Sequence, residues 1–296
     1  MFTGMDIITF SRKFCDNDSC YQYLVENKWK GGYQCRYCGC KESHKGRTWY
    51  YRRCKCCGYD ESVTANTVFH GIKMPILKAF HLIFRLTAKT KGMSTVELGN
   101  EVDVQQKTTW LFKRKMQSVM KEDGKDKLKG NVDVDEMLIG GYSPGNKGRS
   151  LETKSAVLIS VEKLEDGQTG NVNFTLLENF EAPTMKYAVK DSIDPQAHIR
   201  SDKHPSYESI KKEFEHFETV PSAKGSNFEE LHEQIMLFKN WLRGIHHKCS
   251  KKHLHAYLDE YKYRFNKRNM RQWLFNDMVG RLMQHEPRPY PVLKAI

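Results

Sequence analysis

The segment Asn131-Val-Asp-Val-Asp-Glu-Met-Leu-Ile139 alternates polar and apolar side chains and ends at Gly140-Gly141. Alternation over this length is typical of a β-strand with two different faces. Because successive side chains point to opposite faces of a strand, we expect Asp133 and Asp135 on one face and Glu136 on the other. The segment therefore predicts a strand that carries carboxylates into a sheet.

The residues that follow this strand continue as further strands and helices. The predicted strands are 155–161, 171–177 and 197–202, and the predicted helices are 183–190 and 227–241. Three strands, a helix, a strand and a helix in this order are typical of an α/β domain with a mixed sheet.

Acidic side chains recur at corresponding places in these elements. Asp135 lies within a strand, and Asp202 lies at the C-terminal end of another. A carboxylate on a covered strand face is costly unless it is paired or holds a metal ion, and open α/β sheets place their sites outside strand ends. The long helix offers further groups, namely Glu229, Glu230, His232 and Glu233. Two strand-borne aspartates and a helix-borne ligand suit magnesium ions about 3.5–4 Å apart, the arrangement of two-metal phosphoryl transfer.

A second metal site is predicted nearer the N-terminus. Cys35-Arg-Tyr-Cys38 and Cys54-Lys-Cys-Cys57 form two C-x-x-C pairs separated by residues 39–53. Each pair supplies two thiolates from one tight turn, and two such turns surround Zn²⁺ tetrahedrally. The intervening segment is long enough for one or two short strands, so the pattern predicts a zinc ribbon.

The remaining cysteines are interpreted as structural thiols. They are Cys15, Cys20, Cys40, Cys56 and Cys249. Cys40 and Cys56 adjoin the predicted ligands and could compete for the metal, but their spacing fits less well. An intracellular, reducing compartment suits this cysteine usage better than secretion does.

A helix-turn-helix is predicted between the ribbon and the strands. Met74-Pro75 opens a helix, and Ser94 can cap a short helix that ends near Asp103. A longer helix is expected from Gln105 to Lys121, with residues 105–108 placed to meet DNA. An ordinary helical hairpin is the alternative. A polar linker follows at residues 122–127.

The charge of the chain favours nucleic acid as a partner. The formal net charge is +12 over 296 residues, an excess that attracts polyanions. No apolar run of about 18 residues is present, so we expect no membrane span. The N-terminal residues lack a cleavage site, so we expect no signal peptide.

Several segments together resemble the Merlin-related DDE transposases of bacterial insertion sequences, in the ISXO2-like group. The segments that carry the resemblance are residues 14–39 with Phe14, Cys20, Trp29 and Gly32-Tyr-Gln-Cys-Arg-Tyr-Cys-Gly39; Ser62-Val-Thr-Ala-Asn-Thr-Val-Phe-His70; Val132-Asp-Val-Asp-Glu-Met-Leu-Ile-Gly-Gly141; Ser201-Asp-Lys-His-Pro-Ser-Tyr207; and Arg243-Gly-Ile-His-His247 followed by Ser250 to Arg268. The resemblance runs nearly end to end.

The resemblance implies an RNase H-like catalytic domain preceded by a zinc ribbon and a helix-turn-helix. The expected boundaries are 1–70 for the N-terminal helix and ribbon, 71–125 for the helix-turn-helix, and 126–296 for the catalytic domain with a basic helical tail. It also implies a bacterial, cytoplasmic, nucleoid-associated enzyme. Such a protein would bind inverted repeats as a homo-oligomer, cleave the DNA and join the 3′-hydroxyl ends to target DNA.

The resemblance also assigns roles to single residues. Asp135 and Asp202 map onto the first two catalytic acids, and His232 falls at the third position, with Lys239 seven residues later on the same helix face. A neutral imidazole suits Mn²⁺ better than Mg²⁺, so either ion is expected. Glu229 and Glu233 remain alternatives for the third ligand. Lys239 is expected to contact a phosphate.

The C-terminal histidines lie among many cations. His246, His247, His253 and His255 accompany Lys248, Lys251, Lys252, Arg264, Lys267 and Arg268. We interpret this set as a DNA-backbone surface, with a solvated helix face and a metal cluster as alternatives.

Overall fold

A computed structural model describes residues 5–89, 91–121, 127–140, 150–246 and 249–295. The chain divides into two compact units. One unit comprises Met1–Met120 and Met270–Ile296, and the other comprises Lys121–Asn269. Most of the predicted linker, Gly141, His247 and Lys248 lie outside the described residues.

The N-terminal unit begins with two helices where the sequence indicated one. They are α1 (Ile7–Lys13) and α2 (Asn17–Lys28). The break has a local cause, because Asp16 accepts the backbone N–H of Ser19 while the Ser19 hydroxyl accepts the backbone N–H of Asp16. This capping box starts a new helix.

The predicted ribbon is a small antiparallel sheet. Its strands are β1 (Ser43–Lys45), β2 (Tyr51–Cys54) and β3 (Asp60–Ser62), in the order β1-β2-β3. Two strands therefore lie between the cysteine pairs, as predicted, and a third follows the second pair.

The helix-turn-helix follows the ribbon. Its helices are α3 (Ile76–Ala88), α4 (Thr95–Val102) and α5 (Gln106–Gln117). Ser94 caps α4 by accepting the backbone N–H of Glu97 at 3.2 Å, and Asp103 turns the chain with a φ of 51°. A Cβ at Gly99 would lie 2.6 Å from the Val104 carbonyl oxygen, so only glycine allows α4 and the turn to approach this closely.

The end of the predicted basic tail belongs to the N-terminal unit, which differs from the expected boundary at 126–296. It contains α10 (Leu274–Gln284) and α11 (Tyr290–Ala295). The physical reason is aromatic packing: the Phe275 ring lies 5.5 Å from Phe10 and Phe14 and 5.7 Å from Phe80. Burial of these rings holds the tail in this unit.

The second unit is built on a five-stranded sheet of order β6-β5-β4-β7-β8. The strands are β4 (Asn131–Ile139), β5 (Ser155–Lys163), β6 (Thr169–Leu177), β7 (His198–Ser201) and β8 (Phe217–Thr219). The first three pair antiparallel, whereas β7 and β8 run parallel to β4. This is the sheet of an RNase H-like fold, so the predicted fold class is confirmed.

Helices cover both faces of this sheet. They are α6 (Ala182–Ser192), α7 (Tyr207–Lys211), α8 (Glu229–Ile245) and α9 (Lys251–Asn266), and a 3-10 turn at Ala223–Phe228 precedes α8. Val132 and Val134 belong to a core cluster with α6 and α7, whereas Met137 and Ile139 belong to a second cluster with α8 and α9. The alternation of β4 is therefore as predicted. The short elements α7 and β8 were not predicted.

Candidate active site and zinc-binding site

The two aspartates predicted to be catalytic lie on neighbouring strands. β4 pairs in parallel with β7, and Val134 is opposite Ser201 in the register. Asp135 is the residue of β4 after Val134, and Asp202 directly follows β7. Both carboxylates therefore emerge where the pairing of β4 with β7 ends. Their charges interact, because Asp202 contributes to the raised pKa of Asp135. The site thus forms where a short parallel strand stops beside a longer one.

A pocket of about 280 Å³ opens beside the second half of β4. A water molecule takes up about 30 Å³ in the liquid, so the pocket has room for a phosphate group with several waters. The lining residues are Asp135, Glu136, Met137, Leu138, Phe180, His232, Ile235 and Lys239. Residues from both faces of β4 contribute, because β7 pairs with this strand only up to Val134.

Helix α8 contributes one face to the pocket. His232, Ile235 and Lys239 follow a spacing of three and four residues, which places them on the same side of the helix. Gly225 lies directly against the imidazole, because a Cβ added there would be 3.2 Å from Cδ2 and 3.4 Å from Nε2 of His232. The predicted third position and its lysine therefore face the pocket that Asp135 lines.

The alternative ligands for the third position lie elsewhere. Glu229 and Glu233 are exposed and do not line the pocket. Glu233 acts electrostatically on Tyr261 of α9. Glu230 pairs with Lys163 at 2.6 Å, which connects the first turn of α8 to β5.

The environment of Asp135 opposes its ionisation. Burial raises the pKa of Asp135 to about 6, and the charges of Glu136 and Asp202 act in the same direction. The backbone N–H of Glu136, which donates to the Asp135 carboxylate at 2.7 Å, and the nearby His232 lower the pKa. Burial also lowers the pKa of Lys239, and the charge of Asp135 opposes that shift. Crowded carboxylates of this kind favour a bound cation.

The acidic site is more open than the cysteine site. Within the described parts of the chain, only cysteine groups bring three or more metal-binding atoms within 4.8 Å of one another. Asp135 and His232 line a wider pocket, and Asp202 lies beside Asp135 at the end of the neighbouring strand. Two carboxylates and an imidazole suit Mg²⁺ or Mn²⁺ as a donor set.

The four predicted zinc ligands come together as expected. The sulfur atoms of Cys35, Cys38, Cys54 and Cys57 all lie within 4.8 Å of one another. The closest pairs across the two turns are Cys35 with Cys57 at 3.6 Å and Cys38 with Cys54 at 3.5 Å. A cluster of four cysteine sulfurs fits tetrahedral zinc.

The glycine after each cysteine pair forms the turn. Gly39 and Gly58 have φ angles of 71° and 72°, and their backbone N–H groups donate to the carbonyls of Cys35 and Cys54. This left-handed conformation favours glycine and brings the two sulfurs of each pair together.

The two cysteines beside the ligands were interpreted as thiols, and the structure differs. Cys40 and Cys56 form a disulfide with a Cα–Cα distance of 6.3 Å. They come together because β1 and β2 bring the two turns side by side. The sequence could not assign this pair, because both residues also adjoin C-x-x-C motifs.

Aromatic and basic side chains cover the ribbon and its flanking helix. Tyr21 of α2 stacks on Tyr50 at 4.1 Å, and the Arg52 guanidinium lies 5.6 Å from the Trp29 ring. Tyr37 is 70% exposed. Stacking rings beside cations are a common surface for nucleic acid.

The predicted recognition helix exposes only its first turn. Gln105, Gln106 and Lys107 are exposed, as a helix that meets DNA with its N-terminus requires. The second half of α5 is buried, and it includes Lys113, whose ammonium donates to the Met93 carbonyl at 2.9 Å. Trp110 is partly buried.

The C-terminal histidines and cations have mixed surroundings. The His246 ring stacks on Tyr257 at 4.0 Å. The Arg268 guanidinium lies 4.3 Å from the Phe265 ring, and Lys251 donates to the Glu152 carbonyl at 2.9 Å. No metal-binding group that includes these histidines is found in the described part of the region. Several of these cations therefore hold the fold together.

The fold and the acidic pocket define an RNase H-like domain with one carboxylate within β4 and another directly after the neighbouring β7. Residues 127–266 match the family described as ISXO2-like transposase domain. This segment is therefore similar to the transposase domains of that family, and the match supports an insertion-sequence transposase of the DDE type, as the resemblance implied.

Other comparisons add little. The chain is similar to a solved structure titled "Crystal structure of a pre-cleavage Mos1 transpososome", with 12% identity, 66% of this chain and 75% of that chain covered, and a TM-score of 0.32. No curated protein matches the chain. None of the described helices is long and apolar enough to cross a membrane.

Proposed function

We propose that this transposase binds the inverted-repeat ends of an insertion sequence, cleaves them, and joins the freed 3′-hydroxyl ends to target DNA. The observation that carries the proposal is that Asp135 within β4 lies beside Asp202 directly after β7, with His232 and Lys239 facing the pocket that Asp135 lines. Both reactions are displacements at phosphorus, so one site of this kind can perform both.

The residues of the pocket have separate roles in this proposal. Asp135 and Asp202 hold divalent cations through carboxylate oxygens, and His232 completes the donor set with a ring nitrogen. Mg²⁺ or Mn²⁺ supplies Lewis-acid polarisation of the phosphate and activation of the attacking oxygen when bound. Lys239, whose ammonium lies within the electrostatic reach of Asp135, binds a non-bridging phosphate oxygen of the strand that is cut.

The N-terminal unit supplies DNA binding in this proposal. Cys35, Cys38, Cys54 and Cys57 hold a structural Zn²⁺ that stabilises the ribbon. The exposed first turn of α5 meets base edges, and the aromatic and basic ribbon surface meets the backbone. Phosphate contacts dominate the affinity, so binding falls steeply with salt. Because two element ends must be held together, we propose that a homo-oligomer assembles on DNA.

Cleavage of labelled DNA that carries the flanking inverted repeats tests the proposal. Metal-dependent cuts at the repeat ends, followed by joined products, are the expected result. Cuts without joining, on DNA that lacks the repeats, would instead indicate a nuclease of the same fold. Binding without cutting in either Mg²⁺ or Mn²⁺ would indicate a zinc-ribbon regulator with an inactive domain.

A further inference from the structure

An ion pair with a buried carboxylate lies immediately behind the two strands that carry Asp135 and Asp202. Asp133 is 3% exposed and lies on the same face of β4 as Asp135. The guanidinium of Arg200 bonds it through both carboxylate oxygens, from Nε at 2.7 Å and from Nη2 at 2.9 Å. Arg200 is directly opposite Asp133 in the parallel register and is two residues before Asp202. The pair therefore connects the two strands that carry the catalytic aspartates.

The same guanidinium also contacts the chain that leads into α8. Its Nη2 donates to the carbonyl of Asn227 at 2.9 Å, and its centre lies 5.4 Å from the Phe228 ring. Asn227 and Phe228 end the 3-10 turn that directly precedes α8. Phe228 is one helical turn before His232. Arg200 thus connects β4, β7 and α8, each within four residues of a proposed metal ligand.

The 3-10 turn that Arg200 holds is also the segment that contacts the His232 ring. Gly225, with a φ of 98°, lies in this turn against the imidazole. Ala223 in the same turn has a φ of 46°, which L-residues rarely adopt. A strained turn keeps such a conformation only when its surroundings hold it. A shift of the turn would therefore move the imidazole relative to Asp135.

We propose that Arg200 is a positioning residue that sets the spacing between Asp135, Asp202 and His232 through its contacts with Asp133, Asn227 and Phe228. The inference rests on the proposed function and extends it to a residue outside the pocket. Arginine is required because its planar fork can bond a carboxylate through two nitrogens and a carbonyl at the same time. Lysine keeps the charge and offers a single donor atom.

The substitution Arg200→Lys in the full-length protein tests the proposal. Removing the charge would leave Asp133 buried without its cation and endanger folding, so lysine is the informative change. Arg281→Lys is the matched control, because Arg281 also bonds one carboxylate, that of Asp277, and one backbone carbonyl, that of Val119. Arg281 lies in the other unit.

Binding of Mn²⁺, measured from the electron paramagnetic resonance signal of the free ion, is the first readout. The difference between the wild type and Asp202→Ala defines binding at the acidic site. We expect Arg200→Lys to weaken this binding roughly tenfold or more, as loss of an outer contact to a metal ligand commonly does. The Mn²⁺ concentration for half-maximal cleavage should rise by the same factor, and excess Mn²⁺ should restore most of the rate.

Zinc content, binding to the repeat ends and the thermal midpoint serve as checks of the fold, and Arg281→Lys should leave Mn²⁺ binding unchanged. If Arg200→Lys folds poorly, the double variant Asp133→Asn/Arg200→Gln removes both buried charges together and should show the same weakened binding. Wild-type Mn²⁺ binding by a folded Arg200 variant, in a preparation whose wild type cuts the repeat ends, would overturn the positioning role. A wild type that neither binds Mn²⁺ at this site nor cuts would overturn the proposed function itself.

Discussion

The zinc ribbon and the acidic pocket both collect metal-binding side chains, but the set in the ribbon is compact and the set in the pocket is open. In the ribbon, two tight turns bring four sulfur atoms within 4.8 Å of one another. In the pocket, Asp135 from a strand and His232 from a helix line an open space of about 280 Å³, and Asp202 follows the neighbouring strand. A closed set of four ligands stabilises structure, whereas an open set leaves room for a substrate.

The two sites also differ in their effect on stability. Four cysteine sulfurs that come together only in the folded chain would convert zinc binding into folding free energy. In the pocket, burial and neighbouring acids raise the pKa of Asp135 to about 6, so the ionised carboxylate destabilises the fold without a bound cation. A structural metal site is therefore recognised by its compactness, and a reactive one by the unfavourable charges that it holds.

The substitution Cys54→Ser should have the largest effect. Cys54 is 1% exposed and its sulfur belongs to the four-sulfur cluster. We expect loss of the bound zinc and unfolding of the ribbon, because a small sheet of three short strands has little core of its own. Mass spectrometry measures the zinc content, and amide hydrogen exchange over residues 33–62 measures the unfolding of the ribbon. Cys249→Ser is the control and should keep full zinc. If the amides of the ribbon in Cys54→Ser stayed protected from exchange, that result would contradict a closed zinc site of four cysteines.

The substitution Asp135→Asn should abolish cleavage and yet stabilise the protein at neutral pH. A pKa raised from 3.8 to about 6 corresponds to a penalty of about 3 kcal/mol for the ionised carboxylate, and asparagine removes it. We expect a thermal midpoint higher by a few degrees in the absence of divalent metal. Binding to the repeat ends should be unchanged.

The sign of this effect can be followed with pH. The folded state holds the Asp135 proton more tightly than the unfolded chain, so stability falls as pH rises from about 3.8 to about 6. The advantage of Asp135→Asn should therefore vanish below this window and be complete above it. A variant that is less stable than the wild type at pH 7 would argue against crowded carboxylates.

The helix-borne ligand can be tested with neighbouring residues. His232→Ala should lower the cleavage rate by about 100-fold, because it removes a donor from the metal site. Glu233→Ala, one position later and outside the pocket, should stay within a few-fold of the wild type. Both side chains are exposed, so neither change should alter the thermal midpoint much. The opposite order of rates would transfer the third-ligand role to Glu233.

The smallest expected effect concerns the turn beside the imidazole. Gly225→Ala places a methyl group 3.2 Å from the His232 ring in a backbone with a φ of 98°. We expect the free energy of unfolding to fall by about 1–2 kcal/mol and cleavage to become several-fold slower. Gly244→Ala is the matched control, since nothing lies within 4 Å of its Cβ and the residue is within α8. The control should be neutral or stabilising. Equal cleavage by Gly225→Ala and Gly244→Ala would show that the turn does not influence the position of His232.

Much of the fold follows from local sequence patterns. The alternation of residues 131–139 predicted β4 and its two faces, and Ser94 predicted the start of α4. The four zinc ligands follow from spacing alone, because both pairs lie in tight turns with a following glycine. Such features depend on residues within one turn or strand, so the sequence displays them directly.

What the sequence did not predict depends on distant contacts. The short α7 and β8 carry too few residues for a periodic pattern. The place of the tail depends on Phe275 meeting rings from α1 and α3, and the pairing of Asp133 with Arg200 depends on the register between β4 and β7. The resemblance to known transposases supplied His232, which residue types alone left open beside Glu229 and Glu233.

The most direct test of the account is the cleavage of labelled inverted-repeat DNA by the wild type and by Asp202→Ala, with Mg²⁺ or Mn²⁺. We expect metal-dependent cuts at the repeat ends that disappear in the variant while binding to the ends persists. Equal cutting by the variant, or binding without any cut by the wild type in both metals, would contradict the proposal that the acidic pocket performs the chemistry.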